Sequence, residues 1–264
     1  MKAREARVLL TGAGGGIGRA VAETLVAAGA SLLLVGRDAG RLCQLLGQLA
    51  ERHPGAAERL AWQCADLGRD ADLQQLAEAA AAWRCNVLVH GAGVPAFGRL
   101  QTLDPAALRA ALDTNLLAPM LLTQALLPHL QALPRAQVIC IGSALGRIGL
   151  PGFSVYSASK FGLRGFAEAL RRELADGSVR VQYLGPRSTL TDFNSPGVEA
   201  YNRATGTAMD RPERVAQALL RQLEDERPER FIGFPETLAV RLNGLAAPWL
   251  DGAFAKHRRS LPSL

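Results

Sequence analysis

The sequence predicts an α/β protein built on one doubly wound parallel sheet. Short apolar runs with the character of buried strands alternate with amphipathic stretches of helical periodicity through most of the 264 residues. This alternation is typical of parallel sheets with right-handed crossovers and helices on both faces. The length suits one large domain, and neither an internal repeat nor a low-complexity segment divides the chain.

The first half of the chain alternates regularly between strands and helices. Strands are predicted at 7–11, 31–35, 59–64 and 86–89, and helices at 20–28, 39–52 and 70–83. Gly29 follows the first helix, where a glycine commonly ends a helix, and Pro54-Gly55 stops the second.

The second half continues the pattern. Asp104-Pro105 starts a helix, because Asp caps a helix N-terminus and Pro fits its first turn. The apolar-rich stretch 112–133 predicts one long helix or two helices joined near Pro119. Further strands are predicted at 138–141, 179–184 and 230–234, helices after 153 and at 212–223, and a loop over 185–210. We assign residues 1–234 to the single domain and residues 235–264 to a C-terminal amphipathic extension packed on or beside it.

Composition argues against several functional classes. The net charge of +6 comes from scattered arginines, and aromatic residues make up only 5%, a pattern that does not favour nucleic-acid binding. The four cysteines lack CxxC spacing, which indicates reduced thiols rather than a disulfide framework or metal ligands. Met1–Arg7 leads directly into a strand without the character of a signal peptide, and no run reaches the roughly 20 uncharged apolar residues of a membrane span. We therefore expect a cytoplasmic protein without a metal site.

A glycine-rich turn joins the first strand to the first helix. Thr11-Gly12-x-x-x-Gly16-Ile17-Gly18 lies where glycines permit a tight turn and close approach of a ligand to the backbone. The N-terminus of the following helix offers free N–H groups and partial positive charge to a pyrophosphate. The turn therefore predicts a nucleotide-binding site.

The end of the second strand indicates which dinucleotide is bound. An acidic residue there would bind the ribose hydroxyls of NAD, whereas a basic residue can bind the 2′-phosphate of NADP. Gly36 and Arg37 occupy this position, with Asp38 following. Because a guanidinium binds phosphate well, we favour NADP over NAD. The alternative is that Arg37 is a solvated loop residue beside Asp38.

A second polar group lies after the strand predicted at 138–141. Tyr156 and Lys160 are four positions apart, so on a helix they share one face. An ammonium beside a phenol favours the phenolate, and we expect it to lower the pKa of Tyr156 toward neutrality. Ser143, at the carboxyl end of the strand, could complete a three-point site around one oxygen.

Together these residues resemble the short-chain dehydrogenase/reductase family. The resemblance is carried by the turn at 11–18, Asp66, Gly91-Ala92-Gly93, Asn115, Ser143 and the pair Tyr156 and Lys160, in that order, and it covers about residues 5–190. It implies a Rossmann-like fold and an oxidoreductase that uses a nicotinamide cofactor.

The resemblance also implies roles for individual residues. Tyr156 would be the acid/base that protonates a carbonyl, Lys160 would hold the nicotinamide ribose, and Ser143 would position the substrate oxygen. Asn115 would hold a water in the proton relay; the alternative is a helix-interior Asn bonded to backbone. The implied cofactor-binding residues are Gly12, Gly14, Gly15, Gly16, Ile17, Gly18, Arg37, Asp66, Leu67, Gly91, Ala92, Gly93, Tyr156, Lys160, Pro186, Thr189 and Thr191.

Two segments depart from the family pattern. His90-Gly91 replaces the usual Asn-Asn after the fourth strand, so a side-chain amide that ties neighbouring strands together is missing. We expect His90 to be a structural histidine. Arg187 follows Pro186 where the family usually has glycine, and it either touches the cofactor or an acidic substrate group, or is a surface charge.

The substrate side is predicted to be mostly apolar. The walls are expected from the loop 144–155, from Val94 and Phe97, and from 188–210, including Leu145, Ile148, Leu150, Phe153 and Phe193, with Arg147 as the exception. The leading interpretation is an NADP(H)-dependent carbonyl reductase or alcohol dehydrogenase for a largely apolar carbonyl or alcohol. The alternative is a catalytically silent NADP(H)-binding sensor or interaction protein, although its expected signature, a lost Tyr or Lys, is not present.

The last part of the chain departs furthest from the family. Apolar residues at roughly helical spacing run through 235–257, followed by Lys256-His-Arg-Arg259. This segment could cover the pocket, pack on a partner, or rest on an anionic membrane surface through 235–259. Packing on protein is the favoured alternative, and we expect a homodimer or homotetramer.

Overall fold

Seven parallel strands form the sheet of the protein in the computed structural model, which describes residues 1–233, 242–244 and 247–261. The strands are β1 (Arg7–Thr11), β2 (Ser31–Gly36), β3 (Leu60–Cys64), β4 (Val87–His90), β5 (Ala136–Ile141), β6 (Val179–Gly185) and β7 (Glu229–Phe231). Their order across the sheet is β3-β2-β1-β4-β5-β6-β7. The order reverses direction between β1 and β4, which makes this edge the switch point where doubly wound sheets bind ligands.

Helices cover both faces of the sheet. They are α1 (Gly16–Ala27), α2 (Ala39–Arg52), α3 (Asp70–Ala82), α4 (Pro105–Leu112), α5 (Ala118–Gln131), α6 (Ser154–Glu173), α7 (Pro196–Thr205), α8 (Pro212–Asp225) and α9 (Ala255–Arg259). The central strands β1, β2, β4 and β5 are mostly apolar because they bury both of their faces, whereas the edge strands β3 and β7 are only partly buried. One core cluster lies under α1, α2 and α8, and a second lies under α3, α5 and α6. The predicted single Rossmann-like domain is thereby confirmed.

The stretch predicted as one or two helices over 112–133 is interrupted, but not by its proline. A π-helical turn, Asp113–Leu117, separates α4 from α5, and Pro119 lies in the first turn of α5. A proline fits there because the first helical N–H groups need no intrahelical partner.

Pro105–Gln131 is also the one stretch of the described residues long and apolar enough to cross a membrane; it includes charged Arg109 and Asp113.

The predicted loop 185–210 contains a helix. Ser195 caps α7 by accepting a hydrogen bond from the Val198 N–H, and Gly206, at φ +74°, ends it in the left-handed conformation. These are ordinary helix boundary signals, which the high content of Gly, Thr, Asn and Pro obscured. The last strand is shorter than predicted, and its predicted end at residue 234 lies outside the described residues.

Candidate active site

The predicted site residues gather at the carboxyl ends of the strands, around the switch point. The glycine-rich turn follows β1, the segment 91–93 follows β4, and Ser143 follows β5. Tyr156 and Lys160 lie in α6 and face the same edge. Residues far apart in sequence therefore meet because parallel strands all end on one side of the sheet.

The glycine-rich turn is shaped by close backbone contacts. Gly12 has φ +71°, and a Cβ added there would lie 2.7 Å from the backbone of Ala92. A Cβ on Gly18 would lie 2.1 Å from the carbonyl oxygen of Gly12, so the start of α1 packs directly on the turn. The predicted residues Gly14, Gly15 and Ile17 complete this turn and the first turn of α1. The backbone therefore forms an open cradle at a helix N-terminus, which fits a pyrophosphate.

Thr11 ties the ends of β1 and β4 together. Its hydroxyl accepts hydrogen bonds from the N–H groups of Gly91 at 3.0 Å and Ala92 at 3.2 Å, and donates to the carbonyl of Val89 at 3.3 Å. A side chain at Gly91 would meet the Thr11 carbonyl oxygen at 2.7 Å. Thr11 therefore joins the ends of β1 and β4, at the place where the family pattern would have a side-chain amide on residue 91.

Asn115 lies within the π-helical turn and is fully buried. Its amide exchanges two hydrogen bonds with the backbone of Val94, at 2.8 and 3.0 Å, and donates to the Ser159 hydroxyl at 3.1 Å. A Cβ on Gly93 would lie 3.2 Å from the Asn115 Oδ1 and 3.8 Å from the Lys160 Nζ. Asn115 thus links three segments of the site, and Gly93 leaves open space between it and Lys160. π-helical turns of this kind are frequent at functional sites.

Tyr156 and Lys160 share one face of α6 as predicted. The Lys160 side chain is buried, and its Nζ lies 5.7 Å from the centre of the Tyr156 ring. The ammonium also donates to the Ile141 carbonyl at 3.3 Å, which holds it at the end of β5. The pair is therefore anchored from both the helix and the sheet.

The predicted effect of Lys160 on the phenol pKa was wrong. Burial raises the pKa of Tyr156 to about 12, and a hydrogen bond with Ser143 opposes that rise only in part. Burial likewise lowers the pKa of Lys160 to about 8, against the raising influence of the Cys140 thiol. Desolvation is the largest cause of both shifts, because it penalises the charged form of each group. The Tyr156 phenol is consequently protonated at neutral pH and is a proton donor.

The residues predicted to contact the adenosine part of the cofactor follow β2 and β3. Arg37 is exposed just after β2. Asp66 is also exposed after β3, and its carboxylate accepts a hydrogen bond from the Gly68 N–H at 3.1 Å. Asp66 therefore forms part of a turn, and its contact with the cofactor stays a prediction. Leu67 packs against the core beside it.

The segment after β6 closes over the glycine-rich turn. A Cβ on Gly16 would lie 2.5 Å from the Cγ2 of Thr191, so the predicted Thr191 sits directly against the start of α1. Pro186 accepts a hydrogen bond from the Ala144 N–H at 2.8 Å. The Thr189 hydroxyl donates to the Arg187 carbonyl at 3.0 Å.

Arg187 forms a partly buried ion pair. Its guanidinium lies 2.8 Å from the carboxylate of Asp210, which also binds Arg214 on α8. The surface-charge alternative does not describe this ion pair, because the Arg187 side chain is only 12% exposed. The contact with cofactor or substrate stays a prediction. Arg187 fastens the segment after β6 to the start of α8.

His90 is a structural histidine, as expected. Its ring lies 2.8 Å from the Thr123 hydroxyl and is buried. Burial and the positive charge of Lys160 lower the pKa of His90 to about 3, so the ring is neutral. The hydrogen bond joins the end of β4 to α5 and does not involve the reacting groups.

Aromatic rings surround a small cavity beside Tyr156. The cavity, of about 20 Å³, is lined by Pro95, Ala96, Phe153, Tyr156, Phe193, Asn194 and Val198. The predicted Phe153 and Phe193 are among these residues. Pockets for organic ligands generally measure roughly 300 Å³ or more, so this cavity is small for a substrate.

Other predicted wall residues lie elsewhere. Ile148 and Leu150 pack with Ala144, Phe231 and Phe254 in a separate cluster. Arg147 faces Glu229, at 3.5 Å. The loop 144–155 therefore presents only its C-terminal end to the cavity. Asn194 and Val198 belong to the predicted wall segment 188–210, whereas the lining residues Pro95 and Ala96 were not predicted.

The fold and the site together define an α/β protein that binds a dinucleotide at the switch point of a parallel sheet. Comparison with known proteins makes the assignment narrower. The sequence profile described as short chain dehydrogenase matches residues 6–202. The chain belongs to the short-chain dehydrogenase/reductase family of oxidoreductases.

Individual relatives agree with this assignment. The Xenopus laevis protein described as dehydrogenase/reductase SDR family member 7B is 33% identical over 256 residues, covering 90% of this chain and 77% of its own. A metagenomic short-chain oxidoreductase, solved in complex with NADP, is 30% identical with a TM-score of 0.71, covering 85% of this chain and 96% of its own. A Burkholderia phymatum short-chain dehydrogenase/reductase, solved with NAD, shares the fold at 22% identity and a TM-score of 0.81, covering 92% of this chain and 94% of its own.

Proposed function

We propose that the protein is an NADP(H)-dependent oxidoreductase that interconverts a carbonyl group and a secondary alcohol on a largely apolar substrate, with Tyr156 as general acid/base. The observation that carries this proposal is the position of the Tyr156 phenol. It borders an aromatic cavity, lies close enough to Ser143 for that side chain to lower its pKa, and lies beside Lys160. A substrate oxygen in that cavity would meet the two hydroxyl groups together.

Each group then has a distinct task. A bound nicotinamide supplies the hydride chemistry. Tyr156 donates its proton to the substrate oxygen in the reductive direction, for which a phenol that is protonated at neutral pH is suited. Ser143 orients that oxygen, and Lys160 holds positive charge next to the phenolate that forms. Asn115 keeps Val94 and Ser159 in place around the site and is the predicted holder of a relay water.

The residues around the switch point fit a dinucleotide. Gly12 and Gly18 let the turn after β1 pack closely on Ala92 and on the start of α1, and the N–H groups at the α1 N-terminus suit a pyrophosphate. We propose NADP(H) rather than NAD(H) because Arg37, not a carboxylate, follows β2 directly. The NADP complex of the metagenomic relative is in line with this choice.

Exchanging the charge at residue 37 tests the cofactor preference. In Arg37→Asp we expect the dissociation constant of NADPH to rise at least about tenfold, since a phosphate contact is replaced by repulsion. The constant for NADH should stay the same or fall, because NADH lacks the 2′-phosphate and a carboxylate can bind its ribose hydroxyls. Fluorescence titration with both cofactors measures each constant, and an unchanged ratio would contradict the NADP assignment.

The cavity supports an apolar substrate class. The Tyr156 ring lies 6.0 Å from the Phe193 ring and 6.4 Å from the Phe153 ring, and Phe153 lies 5.6 Å from Tyr201. Apolar and aromatic groups gain most from burial among such rings. A panel of aryl ketones and long-chain acyl carbonyls, assayed with NADPH, should therefore show higher kcat/KM than small polar ketones.

A catalytically silent sensor is the alternative function on the same fold. Tyr156→Phe separates the two, because it removes the proton donor while the ring keeps its packing. We expect kcat for ketone reduction to fall by at least about 100-fold, with NADPH binding retained. Full activity of this variant would refute the proposed mechanism, and absence of turnover by the unmodified protein across the panel would favour the sensor.

We further propose that the last described residues, 242–244 and 247–261, cover the substrate side of the site. The His257 ring lies 2.7 Å from the Tyr201 hydroxyl, Lys256 donates to the Thr205 carbonyl, and Asn243 donates to the Arg147 carbonyl. These contacts support the lid among the three alternatives for this segment. A homo-oligomer, a membrane contact and a cytoplasmic location stay predictions.

A further inference from the structure

A second tyrosine reaches the active site from β6. Tyr183 is 1% exposed, and its hydroxyl forms two hydrogen bonds with the backbone of a single residue. It accepts from the Ser143 N–H at 2.9 Å and donates to the Ser143 carbonyl at 2.8 Å. No other contact with the Ser143 backbone is as short among the described residues.

The conformation of Ser143 explains why one hydroxyl can serve both groups. Ser143 is almost fully extended, with φ −162° and ψ 160°. In that conformation the N–H and C=O of one residue point to the same side. On β5, pairing with β4 ends at Cys140, opposite His90, so β4 provides no partner at Ser143. Because buried backbone groups must be paired, the Tyr183 hydroxyl replaces the missing strand for the Ser143 N–H, and it shares the Ser143 carbonyl with the Gly146 N–H, which lies 3.0 Å away.

The sequence around Ser143 makes room for this ring. A Cβ on Gly142 would lie 2.0 Å from the Tyr183 Cζ, and a Cβ on Gly146 would lie 2.1 Å from its hydroxyl oxygen. Phe231 packs on the ring from β7, with ring centres 5.9 Å apart. Gly142 and Gly146 therefore leave room for the large buried side chain of Tyr183, and Phe231 packs against it.

We propose that Tyr183 is a positioning residue that holds the Ser143 backbone so that the Ser143 hydroxyl meets the hydroxyl of Tyr156. Tyr183 touches neither cofactor nor substrate in this arrangement and acts through Ser143. The inference rests on the proposed function, in which Ser143 and Tyr156 act on one substrate oxygen. It predicts that removing the Tyr183 hydroxyl weakens catalysis only while the Ser143 hydroxyl is present.

The test is a double-mutant cycle of Tyr183→Phe and Ser143→Ala. Alone, Tyr183→Phe should lower kcat by about 10- to 100-fold, the loss expected from a small displacement of a reacting group. In the Ser143→Ala background it should lower kcat by less than about twofold, because the group it positions is gone. The dissociation constant of NADPH, measured by fluorescence, should stay within about twofold of the unmodified protein.

The pH dependence provides a second readout. The hydrogen bond with Ser143 lowers the pKa of Tyr156. Weakening that bond should therefore move the alkaline fall of the reduction rate to higher pH. A purely structural role of Tyr183 would lower the amount of active protein without moving this limb.

Val215→Ala is the control for lost stability. Val215 is buried in the core cluster under α1, α2 and α8, whereas Tyr183 belongs to the other cluster. If Val215→Ala lowers both Tm and kcat as much as Tyr183→Phe does, the inference is overturned. Equal loss from Tyr183→Phe in both Ser143 backgrounds, or wild-type kcat in Tyr183→Phe, also overturns it.

Two further variants keep the result interpretable. If Tyr183→Phe does not fold, Gly142→Ala displaces the same ring and hydroxyl and replaces it in the cycle. Tyr156→Phe reports on the proposed function separately. Full activity of Tyr156→Phe means that the proposed function fails, whereas an inactive Tyr156→Phe beside an unaffected Tyr183→Phe means that only the positioning role fails.

Discussion

Gly18→Ala tests whether the close contact between the glycine-rich turn and α1 is needed for cofactor binding. The added Cβ would lie 2.1 Å from the Gly12 carbonyl oxygen and 2.8 Å from the Ala13 Cα. Both atoms belong to the backbone, so no side-chain rotation relieves the overlap. The start of α1 must move away from the turn, and the N–H groups that would bind a pyrophosphate move with it.

The expected cost follows from two opposing effects. Overpacking of this kind costs about 1–3 kcal/mol, and Ala in place of Gly in a helix returns about 1 kcal/mol. The net destabilisation is therefore up to about 2 kcal/mol, a fall in Tm of up to about 8 °C for a chain of this size. Cofactor affinity should suffer more, with the dissociation constant of NADPH raised at least about tenfold, because the displaced N–H groups form the binding cradle.

Gly47→Ala is the matched control. Gly47 lies in α2, and an added Cβ there meets nothing within 4 Å. The same substitution should therefore raise Tm by about 2–4 °C through helix propensity alone and leave NADPH binding unchanged. Thermal unfolding and fluorescence titration of both variants complete the assay. If Gly18→Ala binds NADPH like the unmodified protein and melts at a higher temperature, the close packing of α1 on the turn has no role in binding.

Three other predictions follow from the structure. Lys160→Met should abolish turnover. At pH 7 it should also raise the free energy of unfolding by an amount on the order of 3 kcal/mol, and Tm with it, because burial lowers the pKa of Lys160 from 10.5 to about 8 in the unmodified protein. The unfolded chain keeps that proton up to about pH 10.5, so the gain in stability of Lys160→Met over the unmodified protein should shrink between pH 8 and 10.5. A gain that stays constant over that range would contradict the lowered pKa of Lys160. His257→Ala should raise KM for an apolar ketone several-fold, with NADPH binding unchanged, because it removes the contact with Tyr201. In the same series, co-sedimentation with anionic vesicles compares the full chain with a chain ending at Phe234. Equal co-sedimentation of the two would remove the membrane alternative. Phe161→Glu should reduce the mass of the predicted homodimer or homotetramer in light scattering after size exclusion, because the exposed Phe161 and Leu117 lie on adjoining elements. An unchanged mass would place the interface elsewhere.

The sequence alone determined the order of strands and helices along the chain and most of the groups at the site. Strands buried on both faces must be continuously apolar, so β1 and β2 were visible within one residue of their bounds. The glycine turn, Ser143, Tyr156 and Lys160 were recognisable because their spacing is local and their chemistry is specific. The helix α7 was missed because its boundary residues also favour loops.

Tertiary structure alone decided how the site groups are held and charged. Nothing near Tyr183 in sequence indicates that its hydroxyl meets Ser143, although the glycines on both sides of Ser143 are a sign that something large approaches. The pKa of Tyr156 depends on burial by segments distant along the chain, and the sequence rule of an ammonium beside a phenol therefore gave the wrong direction. Local spacing determines which groups share a helix face, but desolvation and long-range hydrogen bonds exist only once the chain is packed.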